Sequence, residues 1–223
     1  MRIVSWNCNG AFREKQKIIS SINADIYVIQ ECENPDISHD VECKCFSDRF
    51  IWTGENKNRG LGIFLKNGID FTENLWPKYG LRNFISIRIN SDLNLLGVWA
   101  CKPYIDEYAI YQNINYDFFN ENTVIIGDFN SNSIWDSQHG LRNHSAVVAA
   151  LKEKNLLSAY HYTRREEQGL EAEKTFFLHR NPSEGYHIDY CFLSPQRLVN
   201  FSILGKQDWL GYSDHMPLVV DIT

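Results

Sequence analysis

Short apolar runs recur along the chain with polar or turn residues between them. The runs Arg2–Trp6, Ile26–Gln30, Phe50–Thr53, Leu61–Leu65, Phe84–Ile89, Leu95–Ala100, Thr123–Ile126, Lys174–Leu178, His187–Leu193, Val199–Leu204 and Leu218–Ile222 are rich in Ile, Val and Phe. Several are bounded by Gly, Asn, Asp or Pro, and this predicts β-strands. A helical period marks Glu14–Ile22, Glu107–Phe119 and Ser145–Lys154; in the last, Val147, Val148 and Leu151 fall on one face. Strands outnumber helices, and only a minority of strand pairs carry a helix between them. That excludes a regular alternating βα barrel or dinucleotide-binding pattern and predicts mixed sheets packed on each other, with helices outside. No repeat, low-complexity tract or Pro/Ser linker breaks the pattern, so residues 1–223 read as one domain. The stretch Tyr162–Glu173, with Arg164, Arg165, Glu166, Glu167, Glu171 and Glu173, reads as a surface excursion or a helix of mixed charge.

Composition narrows the class. With 43% hydrophobic and 13% aromatic residues in 223, the chain has the apolar content of a globular protein, not of a disordered one. Lys and Arg number 22 against 28 Asp and Glu, a net charge of −6. That excludes a polybasic protein that coats nucleic acid. It does not exclude phosphate-bearing substrates, because carboxylates grouped in one site can be inverted in sign locally by a divalent cation. Among six cysteines, Cys8, Cys32, Cys101 and Cys191 sit in apolar runs and read as small buried hydrophobes. The Cys43-Lys44-Cys45 pair lacks a second CxxC or paired histidines at zinc-finger spacing, so no zinc site is expected. Met1 leads straight into a strand pattern, and no apolar run approaches the length of a membrane span. The expectation is a soluble cytoplasmic protein with reduced thiols, no membrane association and no obligate protein partner.

Candidate chemistry sits at strand ends. Five segments share one grammar: IVSWN ending at Asn7, IYVIQE at Glu31, TVIIGDFN with Asp128 and Asn130, HIDYCFL with Asp189, and SDHMPL with Asp214 and His215. In each, an acid, amide or imidazole interrupts or abuts a run that otherwise favours burial. A polar group beside a core costs free energy unless it is paired or binds a cation. Taken singly, Asn7 before Cys8-Asn9-Gly10 suits a turn, and Asp128 and Asn130 after Gly127 suit an Asx turn or helix cap. Asp189 inside a strand suits structure least, because strands disfavour Asp. Five such costs in one chain point to one shared site.

The ordered set SWNCNG, VIQECE, IIGDFNSN, YHIDYCFLS and SDHMPLVVDI resembles the endonuclease/exonuclease/phosphatase superfamily over essentially the whole chain. The resemblance implies an α+β fold, a four-layer α/β/β/α sandwich of two mixed, mainly antiparallel sheets flanked by helices. It implies a Mg²⁺-dependent phosphodiester hydrolase, a nuclease acting on DNA by water attack at phosphorus. By position, Asn7 and Glu31 resemble the family's metal-binding pair, with Glu31 the principal carboxylate and Asp214 a further acid near the metal. Oxygen ligands of this kind suit Mg²⁺ or Mn²⁺. Asp128 matches the residue that orients and deprotonates the attacking water, and Asn130 the one that fixes water or phosphate geometry. Asp189 and His215 match the pair in which the acid holds an imidazole that donates to the phosphoryl oxygens. Cys101 stands where the family often presents a Tyr or His. Lys102 and Tyr104 beside it, with Trp135 and Arg142, become candidates for substrate contact, and His144, Phe177, His179 and Arg180 lie in neighbouring segments. Two alternatives stay open: a phosphatase or phosphodiesterase acting on a small phosphoester or protein–nucleic-acid adduct, and a non-catalytic nucleic-acid-binding member of the fold.

Overall fold

The computed structural model describes residues 1–37 and 49–223, leaving Cys43 and Cys45 outside the described residues. In chain order the strands are β1 (Arg2–Asn7), β2 (Ile26–Cys32), β3 (Arg49–Asn56), β4 (Arg59–Leu65), β5 (Phe71–Glu73), β6 (Phe84–Ile89), β7 (Leu93–Trp99), β8 (Thr123–Asp128), β9 (Leu157–Ser158), β10 (Phe176–Phe177), β11 (Gly185–Tyr186), β12 (Asp189–Leu193), β13 (Leu198–Ile203) and β14 (Leu218–Ile222). The helices are α1 (Phe12–Ser20), α2 (Ile105–Asn115), α3 (His144–Glu153), α4 (Ala159–Arg164) and α5 (Lys206–Trp209). One six-stranded sheet has the order β13-β14-β1-β2-β4-β3 and the other β5-β6-β7-β8-β12-β9; β10 and β11 form a separate ribbon. β1 with β2 and β7 with β8 run parallel, and the remaining pairs are antiparallel.

Alternation along the strands explains the layers. In β1 and β2, Ile3, Ile26 and Val28 face the second sheet, where Leu95, Val124 and Ile126 meet them; the alternate residues Val4, Trp6, Tyr27 and Ile29 face outward. That outward face is closed by Phe12 and Ile19 of α1. On the far side, Leu96, Val98 and Ile125 turn away from the first sheet and pack under Ile105, Tyr108 and Tyr111 of α2 and Val147 and Leu151 of α3. Both faces of each sheet are therefore buried at their centres, which is why these runs are apolar nearly throughout. The result is the α/β/β/α sandwich that the resemblance implies.

Some expectations change. The run Lys174–Leu178 contributes only the two-residue strand β10, and the three-residue β5 has too short an alternation to read. Tyr162–Glu173 is no simple surface excursion: its first residues complete α4, and Glu171 is 2% exposed. Cys8, Cys32 and Cys191 are buried, but Cys101 is only partly so and lines a cleft. Among the described residues no helix is long and apolar enough to cross a membrane.

Gly127, next to last in β8, has φ +153°, and a Cβ built there would meet the Val98 carbonyl oxygen at 1.9 Å. Since the obstacle is backbone of the parallel neighbour β7, no rotamer change relieves it. Gly127→Ala is expected to lower unfolding free energy by about 3 kcal/mol or more, read by urea denaturation, because overpacking and forced backbone shifts add. A loss under about 1 kcal/mol would mean that the β7–β8 pair yields easily.

Candidate active site

Topology gathers the strand-end residues. The two parallel pairs put the C-terminal ends of β1 and β2, and of β7 and β8, side by side within their sheets. β14 runs antiparallel to β1 and β12 antiparallel to β8, so the segments entering β14 and β12 arrive at the same end. The β8–β12 register sets Asp189 directly opposite Asp128. Buried rings anchor two of these segments, those of Asp128 and His215. Phe129, flanked by Asp128 and Asn130, is fully buried, with its ring 4.7 Å from that of Tyr108 and 5.4 Å from that of Phe192. The indole N–H of Trp6 donates to the backbone oxygen of His215 at 2.9 Å.

Asp128 has no exposed surface. Its Oδ2 accepts from Asn7 Nδ2 at 2.9 Å and Asn130 Nδ2 at 3.1 Å, and its Oδ1 from the Asn130 N–H at 2.9 Å. A carboxylate has about four acceptor directions, so Oδ1 keeps one for a further donor such as water. Asn130 takes the left-handed φ of +47° that lets its amide N–H and side chain both reach this carboxylate. His215 Nδ1 lies 3.0 Å from Asp189 Oδ2, and Nε2 lies 4.0 Å from Asp128 Oδ2. Burial pushes the Asp128 carboxyl up; the charge of His215 opposes that and the charge of Asp189 adds to it. Burial alone would lower the His215 imidazole, but Asp189 and then Asp128 reverse this and raise it, so it carries a proton. Two like charges facing each other across a ladder would repel, and the imidazolium between them offsets that cost.

Glu31 sits in a register shift of the β2–β4 pairing, between Gln30 and Cys32, and has φ +62°. Its Oε1 is 3.2 Å from Asn7 Nδ2 and 2.6 Å from Arg59 Nη2. Ser213 Oγ donates to the Asn7 backbone oxygen at 2.7 Å and lies 3.4 Å from Asp214 Oδ1, which brings the half-buried Asp214 to the same strand end. Asn7 thus stands between the carboxylates Glu31 and Asp128, with its Nδ2 towards both and its Oδ1 accepting from the Asn9 N–H at 3.0 Å. Asp128, Asp189 and His215 also offer ligand atoms within 4.8 Å of one another. Of the acids at this end, Asp189 is held by His215 at 3.0 Å, and Glu31 by Asn7 and Arg59.

Lys102, Tyr104 and Cys101 line a cleft of about 480 Å³ together with Glu31, Arg59 and Asn130. Burial, and then the Asp128 charge, pushes the Cys101 thiol up to about 12, so it stays neutral. Trp135 is half-buried with its ring 5.2 Å from that of Tyr186. Arg142 lines a different groove, between α2 and α3, and Phe177 and His144 are buried. Arg180 Nη1 and Nη2 donate to the backbone oxygens of Gly211 and Tyr212. Sequence reasoning missed Arg59, Trp6 and Ser213: an arginine beside a turn, an apolar strand residue and a serine carry no signal of their own.

A second polar group lies beneath α4, away from the cleft. Asn132 Nδ2 reaches Glu171 at 3.1 Å and His161 Nε2 reaches it at 3.1 Å; burial works to raise Glu171, but His161 and the Gly169 N–H outweigh it and hold the carboxyl down at about 2. Burial lowers His144 and His187 to about 4. The unfolded chain takes up these two protons near pH 6.5, the folded chain only near 4. Stability is therefore complete above pH 6.5 and falls as pH drops towards 4, by up to about 3 kcal/mol per histidine. Urea midpoints taken from about pH 7 to pH 5 are expected to fall in the wild type and to fall less in His187→Gln; equal slopes would remove His187 from this account.

A buried carboxylate with one open acceptor direction, an imidazolium beside it and a second acid suited to a cation make a site for hydrolysing a phosphoric ester. The chain belongs to the Endonuclease/Exonuclease/phosphatase family, whose model matches residues 4–215 and so takes in every strand-end motif from Asn7 to His215. Among solved structures the chain is similar to a 3′ phosphatase, NExo, from Neisseria bound to a product DNA hairpin: 18% identity over 100% of this chain and 99% of that chain, TM-score 0.72. It is also similar to an AP endonuclease from Archaeoglobus fulgidus, with 16% identity over 100% and 99% and TM-score 0.71. A third is AP endonuclease LMAP from Leishmania major, with 13% identity over 98% and 86% and TM-score 0.71. At these identities the likeness establishes the fold. A search of the curated proteins found no match.

Proposed function

We propose that the chain, acting as one domain, is a Mg²⁺- or Mn²⁺-dependent nuclease that hydrolyses DNA by attack of water at phosphorus. The observation that carries this reading is the buried series Asp189–His215–Asp128, in which His215 bonds Asp189 at 3.0 Å and faces Asp128 across 4.0 Å, at the end of the sandwich where Glu31 also lies. Asp128, made more basic by burial, takes the proton of a water that its free Oδ1 direction orients. Asn130, tied to the Ala100 carbonyl at 3.0 Å, fixes that geometry. His215, held protonated by Asp189, donates from Nε2 to a nonbridging oxygen as charge grows there. Glu31 would hold the ion, with Asn7 and Asp214 as the further oxygen ligands. When bound, the ion neutralises phosphoryl charge and helps the leaving oxygen depart.

DNA as the substrate is supported by a line of rings beginning at the imidazole. Phe176 lies 4.7 Å from the His215 ring, Tyr186 is its cross-strand partner in the ribbon, and Trp135 continues the line. Such rings stack bases without regard to sequence. Lys102 and Tyr104 provide phosphate contacts across the cleft. The net charge of −6 favours a footprint of few phosphates. The similar structures include a phosphatase bound to a DNA hairpin and AP endonucleases, which supports the same substrate class. The free thiols of Cys8, Cys32, Cys101 and Cys191 suit a reducing compartment such as the cytoplasm.

The test is hydrolysis of labelled single-stranded DNA, duplex DNA and RNA with Mg²⁺, Mn²⁺ or EDTA. Cleavage of DNA that EDTA abolishes is expected. Binding of DNA with no metal-dependent cleavage of any of these substrates would overturn the reading.

A further inference from the structure

The geometry points to Arg59 as a displaceable counter-ion: it neutralises Glu31 while no metal is present, and it moves to a substrate phosphate oxygen when a divalent ion takes its place. This rests on the proposed metal role of Glu31.

Three observations carry it. Arg59 Nη2 lies 2.6 Å from Glu31 Oε1, a short charge-assisted contact on the carboxylate proposed to hold the ion. The two partners are unequally held. Glu31 is 12% exposed and is fixed by its bulged, left-handed backbone and by Asn7, whereas Arg59 is 57% exposed at the first residue of β4, beside the turn of the β3–β4 hairpin. When a cation competes for Glu31, the guanidinium is therefore the group that moves. Its surroundings also offer a second position: it lies 5.4 Å from the Trp99 ring centroid and borders the cleft shared with Lys102, Tyr104 and Asn130. A guanidinium has the same planar fork for a carboxylate as for a phosphate, so the exchange replaces one bonded anion with another. Metal and substrate then favour each other. The ion frees Arg59 for phosphate, and phosphate, by holding Arg59, clears Glu31 for the ion, as linkage requires.

The closing experiment titrates Mn²⁺ alone into the protein, with free ion read by electron paramagnetic resonance, and measures KM for DNA separately. Arg59→Ala and Arg59→Gln are expected to bind Mn²⁺ about three- to tenfold more tightly than wild type, since a partly exposed competing ion pair is lost, while KM for DNA rises. Lys102→Ala removes the same charge from the same cleft, and Lys102 makes no ion pair among the described residues. It is expected to leave Mn²⁺ affinity within about twofold of wild type. Unchanged affinity in both Arg59 variants overturns the inference, as does an equal tightening in Lys102→Ala, which would reduce the effect to long-range charge. Glu31→Gln separates the two levels. If it leaves Mn²⁺ binding intact, the metal assignment itself falls and the inference with it; if it abolishes binding while the Arg59 variants match wild type, only the inference falls.

Discussion

Asp128→Asn is expected to lower kcat by about 10³-fold, within the range set by removal of a general base, and to leave the melting temperature equal to or above that of wild type. The two effects have one cause. The carboxylate is fully buried, sits opposite Asp189 in the ladder and is pushed up by desolvation. As an amide of the same shape it no longer repels Asp189, and the Asp189–His215 pair remains as a neutral unit. It also loses the basicity that water deprotonation needs. Single-turnover cleavage of a labelled oligonucleotide gives the rate, and calorimetry gives the melting temperature. A rate within tenfold of wild type would remove Asp128 as the base. A melting temperature far below wild type would make its role structural.

The second large effect is a failure of additivity. Asp189→Asn and His215→Ala are each expected to cost about 10²- to 10⁴-fold in kcat, and the double variant about the same as the worse single one, because residues that act as a unit are not additive. The physical basis is the 3.0 Å contact between Asp189 Oδ2 and His215 Nδ1: without Asp189 the buried imidazole loses its main cause for being charged and donates poorly to the phosphoryl oxygens. A double-mutant cycle on cleavage rates measures the coupling. Losses that multiply would mean that the two groups act separately.

How much was readable in advance follows from which signals are local. Asn7, Glu31, Asp128, Asn130, Asp189 and His215 each interrupt an apolar strand run, so they stand out one by one, and the structure brings them to one end of the sandwich. β6 and β14 match their runs residue for residue, because burial of both faces leaves nearly continuous apolar stretches. Arg59 was invisible, since a charge beside a hairpin turn is ordinarily a solvated one and its partner Glu31 comes from another strand. The burial of Glu171 was equally hidden. Its immediate neighbours Leu170 and Ala172 are exposed, and what draws it inside is Asn132 and His161, contacts that no local pattern encodes.

Trp6 and His215 bond across 209 positions, and Asn7 and Ser213 across 206. The site is thus closed by joining the first strand to the segment that enters the last. During synthesis Asn7 and Glu31 leave the ribosome well before His215, so a growing chain carries these two groups long before it has the imidazole. A product arrested or cut before Ser213 retains most of the sandwich's apolar content but lacks the imidazole that stands between Asp189 and Asp128. Chain order alone therefore withholds the imidazole from unfinished copies.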